Sequence, residues 1–274
     1  MTMRVSYRAA LPEGATGVLV PGGMATPHGS SMQVEGEGLR PVSEAATGQR
    51  AFWCAAPGAT LDLAFHVSAA AHAYPDALFT PHESPSTRAG AALVAEVRSV
   101  APERAGLARA RAIARHTADR FTYGHPETAF TDGLEEIPAL GCGLTEGSCV
   151  DINTYFIAAL RAVGIEAGYV TGFFFPAEKR GTCEDGHCWV VTRIGGETQE
   201  WDIAHHLKLG TRDIHDGLNP KPGQRAATFH SMGLQFPEIG AFTLKALIEP
   251  LALVGGRFAK FEAPEIRLHA PEHA

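Results

Sequence analysis

Cys149 stands in the stretch TEGSCVDIN, directly after Gly147-Ser148 and at the head of a run with helical spacing. A thiol is a weak nucleophile until it ionises, and a helix N-terminus lowers its pKa through free N–H groups and the helix dipole. A neighbouring imidazole would complete the activation, and a carboxylate would hold that imidazole in the useful tautomer. His187 and Asp202 offer both groups from a second stretch, HCWVVTRIGGETQEWDI. Each residue also has a structural reading. A cysteine packs well on an apolar stripe, a histidine beside tryptophan is often simply satisfied, and an aspartate at a strand end forms turns.

The elements that must position these groups are legible in the pattern. Ser148 is a good N-cap, and Asp151 three residues later makes a capping-box-like pair. Cys149, Ile152, Phe156, Leu160 and Val163 fall on one helical face, and Gly164 is placed to end the helix. Upstream, Leu107, Ala110, Ala114, Thr117 and Phe121 recur at helical spacing after a proline. They predict a helix over about 102–120 that ends before FTYG. A loop through Gly143 then leads to the nucleophile helix, and IEAGYVTGFFF after it reads as a strand.

A two-residue Gly195-Gly196 turn would set Ile194 opposite Glu197, and therefore Trp189 opposite Asp202. His187, two residues from Trp189, would then share a face with Asp202. Diagonal neighbours on one face lie roughly 7–8 Å apart at the backbone, within reach of an Asp–His hydrogen bond. A three-residue loop would break this parity.

The rest of the chain organises around that segment. Residues 1–90 read as a β-rich region, with VSYRAAL, GVLVPGG and LDLAFHVSA as strand candidates and a polar, proline-rich linker over 79–90. Residues 91–235 hold the proposed core. Residues 236–274, with weak signals around FTLKALIEPLALV, are expected to pack on that core as a lid or as edge protection.

The ordered set resembles the transglutaminase-like superfamily of thiol enzymes. GSCVDINTYFIAALRAVGIEAGYVTGFFF resembles that family's Gly-x-Cys-x-Asp helix, its Arg-Ala-x-Gly-Ile turn and its Val-x-Gly strand. HCWVV is similar to its His-Ala-Trp-Val strand, and EWDI to its Trp-Asp ending. GTRDIHDGLNPKPGQ resembles a segment of the bacterial transglutaminase-like proteases. The likeness covers about residues 104–230. It implies an α+β, papain-like/transglutaminase-like core, a nucleophile helix packed on an antiparallel sheet. It also implies Cys149 as nucleophile, His187 as general base and acid, and Asp202 as the orienting carboxylate. The reaction would be cleavage of a peptide, protein or small amide through a thioester, with transamidation to an amine or a silent binding role as alternatives. Two departures stand out. Asp202-Ile203-Ala204 replaces the frequent Asp-Pro-Thr, and ALGCGLTEGSC carries no Trp or Gln of the kind several members aim at the oxyanion.

Other groups were weighed for chemistry. Cys142, Cys149, Cys183, His187 and Cys188 raise a zinc reading, but no CxxC knuckle exists, and adjacent strand residues would point to opposite faces. Cys188 reads as core, and Cys142 and Cys183 as oxidisable thiols near the mouth. His205 and His206 read as ordinary exposed histidines, with pocket lining as the alternative. His28, His82 and His125 lie in polar loops without a partner pattern, and Glu135-Glu136 reads as a solvated pair. PGGM lacks the Lys-Ser/Thr of a phosphate loop, and no EF-hand-like calcium loop is present. No cofactor or metal is expected.

With 274 residues, 45% hydrophobic and 19% charged, the chain can bury a sizeable core. A formal charge of −7 leaves no basic excess for nucleic acid. The N-terminus lacks a signal-peptide apolar stretch, no run is long enough to span a bilayer, and five cysteines do not suggest a disulfide framework. Cytoplasm is the expected compartment, with no membrane partner and the oligomeric state open.

Overall fold

Alternating apolar side chains turn the first seventy residues into strands: β1 (Thr2–Ala10), β2 (Ala15–Pro21), β3 (Ser30–Glu35), β4 (Leu39–Ser43), β5 (Arg50–Ala55) and β6 (Thr60–Ser68). The computed structural model describes residues 2–55, 57–80, 84–217 and 220–269. The three strand candidates read from the sequence are β1, β2 and β6. His82 and part of the 79–90 linker lie outside the described residues.

The central segment opens with α1 (Ala91–Arg98) and α2 (Gly106–Ala118), followed by β7 (Phe121–Tyr123), β8 (Thr145–Gly147) and α3 (Cys149–Arg161). Next come β9 (Glu166–Pro176), β10 (Thr182–Cys183), β11 (Gly186–Ile194), β12 (Glu197–Trp201), α4 (Ile203–Lys208) and β13 (Gly223–His230). Five short strands finish the chain: β14 (Leu234–Gln235), β15 (Thr243–Leu244), β16 (Leu251–Val254), β17 (Arg257–Lys260) and β18 (Glu265–His269).

Helix α2 starts later than the spacing predicts. Pro102–Arg104 form a separate turn closed by Arg104 N–H on the Ala101 carbonyl, so the helix begins at Gly106. Helix α1 was missing from the sequence reading, although Leu93 and Val97 form its buried pair.

Helix α3 differs in a more telling way. A single apolar stripe was expected, yet nearly every residue from Cys149 to Leu160 is buried, including Asp151, Asn153 and Thr154. The helix is enclosed by α1, α2 and α4 on its flanks and by β9 and β11 beneath. Its polar residues are satisfied inside: Asn153 Nδ2 donates to the Cys188 carbonyl at 3.0 Å, and Thr154 Oγ1 to the Val150 carbonyl at 2.7 Å.

The central sheet runs β12-β11-β9-β13, antiparallel throughout. Two five-stranded antiparallel sheets, β10-β18-β1-β6-β3 and β17-β16-β2-β5-β4, share one core of Val5, Tyr7, Phe65, Val18 and Val20. Phe173 and Phe175 of β9 join that core, so the central strand is packed on both faces. The overall class is α+β, as the resemblance implied.

The C-terminal segment does more than pack on the core. Leu247 joins a buried cluster with Phe229 of β13. Beyond it, β16 pairs with β2, and β18 sits between β1 and β10. These strands complete the N-terminal sheets. The sequence reading missed this because strand partners distant in sequence leave no local signal.

Candidate active site

The cap on α3 forms as its residue types demand. Ser148 Oγ accepts from Asp151 N–H at 3.5 Å, while Asp151 Oδ2 accepts from Ser148 N–H at 3.0 Å and from its hydroxyl at 2.7 Å. Strand β8 pairs in parallel with β7 and delivers the chain directly into this cap. Cys149 is therefore the first helical residue, where the backbone N–H groups have no acceptor within the helix.

The hairpin registers as the two-glycine turn requires. Ile194 stands opposite Glu197 and Val190 opposite Trp201, with Gly195 and Gly196 both at positive φ. His187 Nε2 lies 2.9 Å from Asp202 Oδ2. That leaves Nδ1 as the nitrogen for Cys149, and the thiol and imidazole each favour the other's charged form. The structure thus brings the three together: Cys149 and His187 line a pocket of about 180 Å³, and Asp202 is buried behind His187.

Asp202 carries more than the sequence indicates. Its Oδ2 also accepts from His205 Nδ1 at 2.7 Å and from the Arg225 guanidinium. Its Oδ1 accepts from His205 N–H at 3.0 Å, so the carboxylate caps α4 as well. His205 stacks on His187 with ring centroids 4.2 Å apart. His206 Nδ1 donates to the Asp202 carbonyl at 2.8 Å. Both histidines are buried, which overturns their reading as exposed surface residues. The cause is α4: after Asp202 the chain turns into a helix against α3 rather than leaving the sheet as a loop.

Arg225 comes from β13, a strand absent from the sequence reading. Its guanidinium lies over Phe174 and Trp189, 4.8 and 4.9 Å from the ring centroids. A bulge between Ala227 and Phe229 breaks the strand's period-two pattern, and its small residues give little strand signal. Only an arginine in an otherwise apolar run hinted at a buried partner.

The electrostatics favour a thiolate–imidazolium pair. A hydrogen bond from Cys188 is the largest influence lowering the Cys149 thiol well below its ordinary value; burial opposes it, and His187 adds to it. Burial pushes Cys188 well up, so the proton stays there and is donated to Cys149. Asn153 Nδ2, 3.3 Å from Cys188 Sγ, pulls the Cys188 thiol the other way, but burial outweighs it. For His187, burial disfavours the charge, but Asp202 and Cys149 outweigh it and raise the imidazole to about 9. Asp202 is held well below the carboxylate range: His187 and Arg225 overcome the burial penalty.

The remaining candidates separate. All five cysteines are free thiols. Cys188 is in the core, Cys142 is exposed, and Cys183 lines the pocket with its thiol pushed by burial to about 12. The zinc set is therefore not assembled as such, although Cys149 touches both His187 and Cys188 from the helix end. Among the described residues His187, Asp202 and His205 form a group of ligating atoms within 4.8 Å. Arg225 already supplies the cation there, and the facing imidazole nitrogens are engaged on one carboxylate oxygen, a poor fit for a metal. Glu135 and Glu136 are exposed, and His28 bonds Glu200 on β12. Tyr123, the last residue of β7, and His125 just after it line the pocket, with Tyr123 Oη 3.3 Å from His125 Nε2. Among the described residues no helix is long and apolar enough to cross a membrane.

Residues 91–202, from α1 to the carboxylate itself, match the sequence model of the Transglutaminase-like superfamily. Among curated proteins there is no match. A provisionally named cysteine protease from Cytophaga hutchinsonii aligns in structure over 98% of this chain and 98% of its own, with TM-score 0.51 and 13% identity. At that identity the likeness concerns the fold. A provisionally named protease from Parabacteroides distasonis aligns over 70% of this chain and 42% of its own, at TM-score 0.32 and 15% identity. The periplasmic domain of TgpA from Pseudomonas aeruginosa, bound to ethylmercury, aligns over 78% and 93%, at TM-score 0.34 and 15% identity.

Proposed function

We propose that the chain, whose residues 91–202 match the Transglutaminase-like superfamily model, is a thiol hydrolase of amides with Cys149, His187 and Asp202 as its triad. The observation that carries this reading is a Cys149 thiol at a helix N-terminus that shares a pocket with His187, whose Nε2 lies 2.9 Å from buried Asp202 Oδ2. In this reading the Cys149 thiolate attacks the amide carbonyl carbon, and the carbonyl π electrons move onto oxygen. The N–H groups opening α3 receive that oxyanion. Tyr123, kept protonated by burial and then by the nearby Cys149 charge, is the pocket hydroxyl suited to second donor. His187 gives its proton to the leaving nitrogen, and the thioester forms as the C–N bond breaks. Water entering the open, polar pocket, deprotonated by His187, resolves the thioester to a carboxylate.

The test is the rate of Cys149 alkylation against pH, mapped by mass spectrometry in wild type and His187→Ala. Fast labelling well below the ordinary thiol pKa of about 8.5, lost in the variant, is the expected outcome. Labelling that rises only near that value in wild type would return Cys149 to a packing role. Turnover of an amide panel with and without an added amine then separates hydrolysis from transamidation.

A further inference from the structure

The chain holds five lysines and carries a formal charge of −7, yet Lys179, Lys208 and Lys221 all line the pocket that contains Cys149. Two of the three are engaged. Lys179 Nζ lies 2.7 Å from Glu184 Oε1, and Lys221 Nζ lies 2.6 Å from Glu178 Oε1. Among the described residues Lys208 forms no direct ion pair, and its charge acts on Glu184 only from further away. Its ammonium lies 5.2 Å from the Tyr123 ring centroid, on another wall of the same pocket. Lys208 closes α4, the helix capped by Asp202, so its backbone is fixed relative to the triad.

Besides Tyr123 and Cys183, which burial keeps protonated, the other ionisable lining groups are Cys149, His125, His187, His205, Glu184 and Asp185. The thiolate and imidazolium offset each other, and Lys179 offsets Glu184. Lys221 is offset by Glu178 behind it. Lys208 and exposed Asp185 form no direct ion pair of their own, although Lys208 acts on Glu184 and Asp185 on Lys179 from further away. We propose that the pocket is a subsite for a carboxylate on the acyl donor, an acidic side chain or chain terminus beside the scissile amide, with Lys208 as its counter-ion. At about 180 Å³ it has room for a side chain or the end of a short peptide, not for a folded surface. The ammonium needs no rearrangement to accept a carboxylate, because no ion pair must first be broken.

This subsite rests on the thiol chemistry proposed for Cys149, and the experiment separates the two. Alkylation of Cys149 is measured at one pH and low ionic strength with iodoacetate and with iodoacetamide, reagents of similar size that differ by one negative charge. Lys208→Ala is expected to lower the iodoacetate-to-iodoacetamide rate ratio about fivefold, the size of effect of one partly solvated charge across a pocket. Lys208→Glu lowers it further, Asp185→Asn raises it, and the iodoacetamide rate holds in each. Salt near 0.5 M removes most of the difference between wild type and Lys208→Ala. A ratio indifferent to Lys208, or a parallel fall with both reagents, overturns the subsite. Peptide amides differing only as Glu or Gln beside the cleaved bond give a second readout. The Glu preference in kcat/KM must shrink in Lys208→Ala. Failure of the underlying reading looks different: wild type then labels slowly with both reagents below the ordinary thiol pKa.

Discussion

Asp202 Oδ2 receives hydrogen bonds from His187, His205 and Arg225 at once, so a single buried oxygen sets the charge state of the whole site. Turnover needs a thiolate to attack and an imidazolium to protonate the leaving amine. Cys149 ionises well below its ordinary value, and His187 loses its proton near about 9. The profile of kcat/KM against pH is therefore expected to be a bell, with an alkaline limb near about 9 and an acid limb below the ordinary thiol range. A single rise near 8.5 would contradict it. The same groups tie stability to pH with opposite signs. The raised pKa of His187 contributes stability that is full below about 6.5 and lost as pH climbs through about 9. The depressed pKa of Asp202 contributes stability present above about 3.9 and lost as pH falls through its lower folded value. Arg225→Met leaves the carboxylate without its permanent cation. It is expected to cost about 3 kcal/mol in denaturant unfolding and to slow Cys149 alkylation, whereas a surface arginine change would do neither.

At the scale of elements, the fit of β9 between β11 and β13 decides whether the histidine and the arginine meet the aspartate. Gly172 of β9 stands opposite His187 on one side and Ala227 on the other. A Cβ there would lie 2.0 Å from the Ala226 carbonyl oxygen, a backbone atom that cannot swing away. Gly172→Ala is thus expected to push β13 outward and carry Arg225 from Asp202. The checks are a fall in stability of about 3 kcal/mol and a lowered alkaline limb in the pH–rate profile, since His187 loses part of its support. Elements built from local contacts were legible beforehand: the Ser148 cap, the glycine turn and the strand after Gly164. Helix α4 was not, because Asp202-Ile203-Ala204 has no local helix signal beyond the Asp cap, and α3 supplies the surface that makes it helical.

For the molecule as a whole, the C-terminal strands matter out of proportion to their length. Strand β18 pairs with β1 along five positions and holds β10, so the loop carrying Cys183, Glu184 and Asp185 ahead of His187 is pinned to the N-terminal sheet. Leu268 N–H donates to the Gly181 carbonyl at 2.7 Å in the same junction. Truncation before Leu251 removes strands from both five-stranded sheets and is expected to abolish cooperative unfolding. The milder Ile266→Asp, at a buried position, is expected to lower the melting temperature by several degrees. Calorimetry on both variants checks this. An unchanged melt in Ile266→Asp would mean that β18 only covers an edge.

The sequence by itself determined the groups that sit within one or two turns of local structure. Cys149 heads its helix because Ser148 and Asp151 cap it. His187 faces Asp202 because strand parity and a two-residue turn leave no other choice. Those rules act over a few residues and need no knowledge of the rest of the chain. Tertiary structure decided what surrounds that line. Arg225 arrives from a bulged strand, His205 folds back through a short helix, and three lysines from separate segments share one pocket. Such placements follow from which surfaces bury against each other, and burial is a property of the whole chain rather than of any stretch within it.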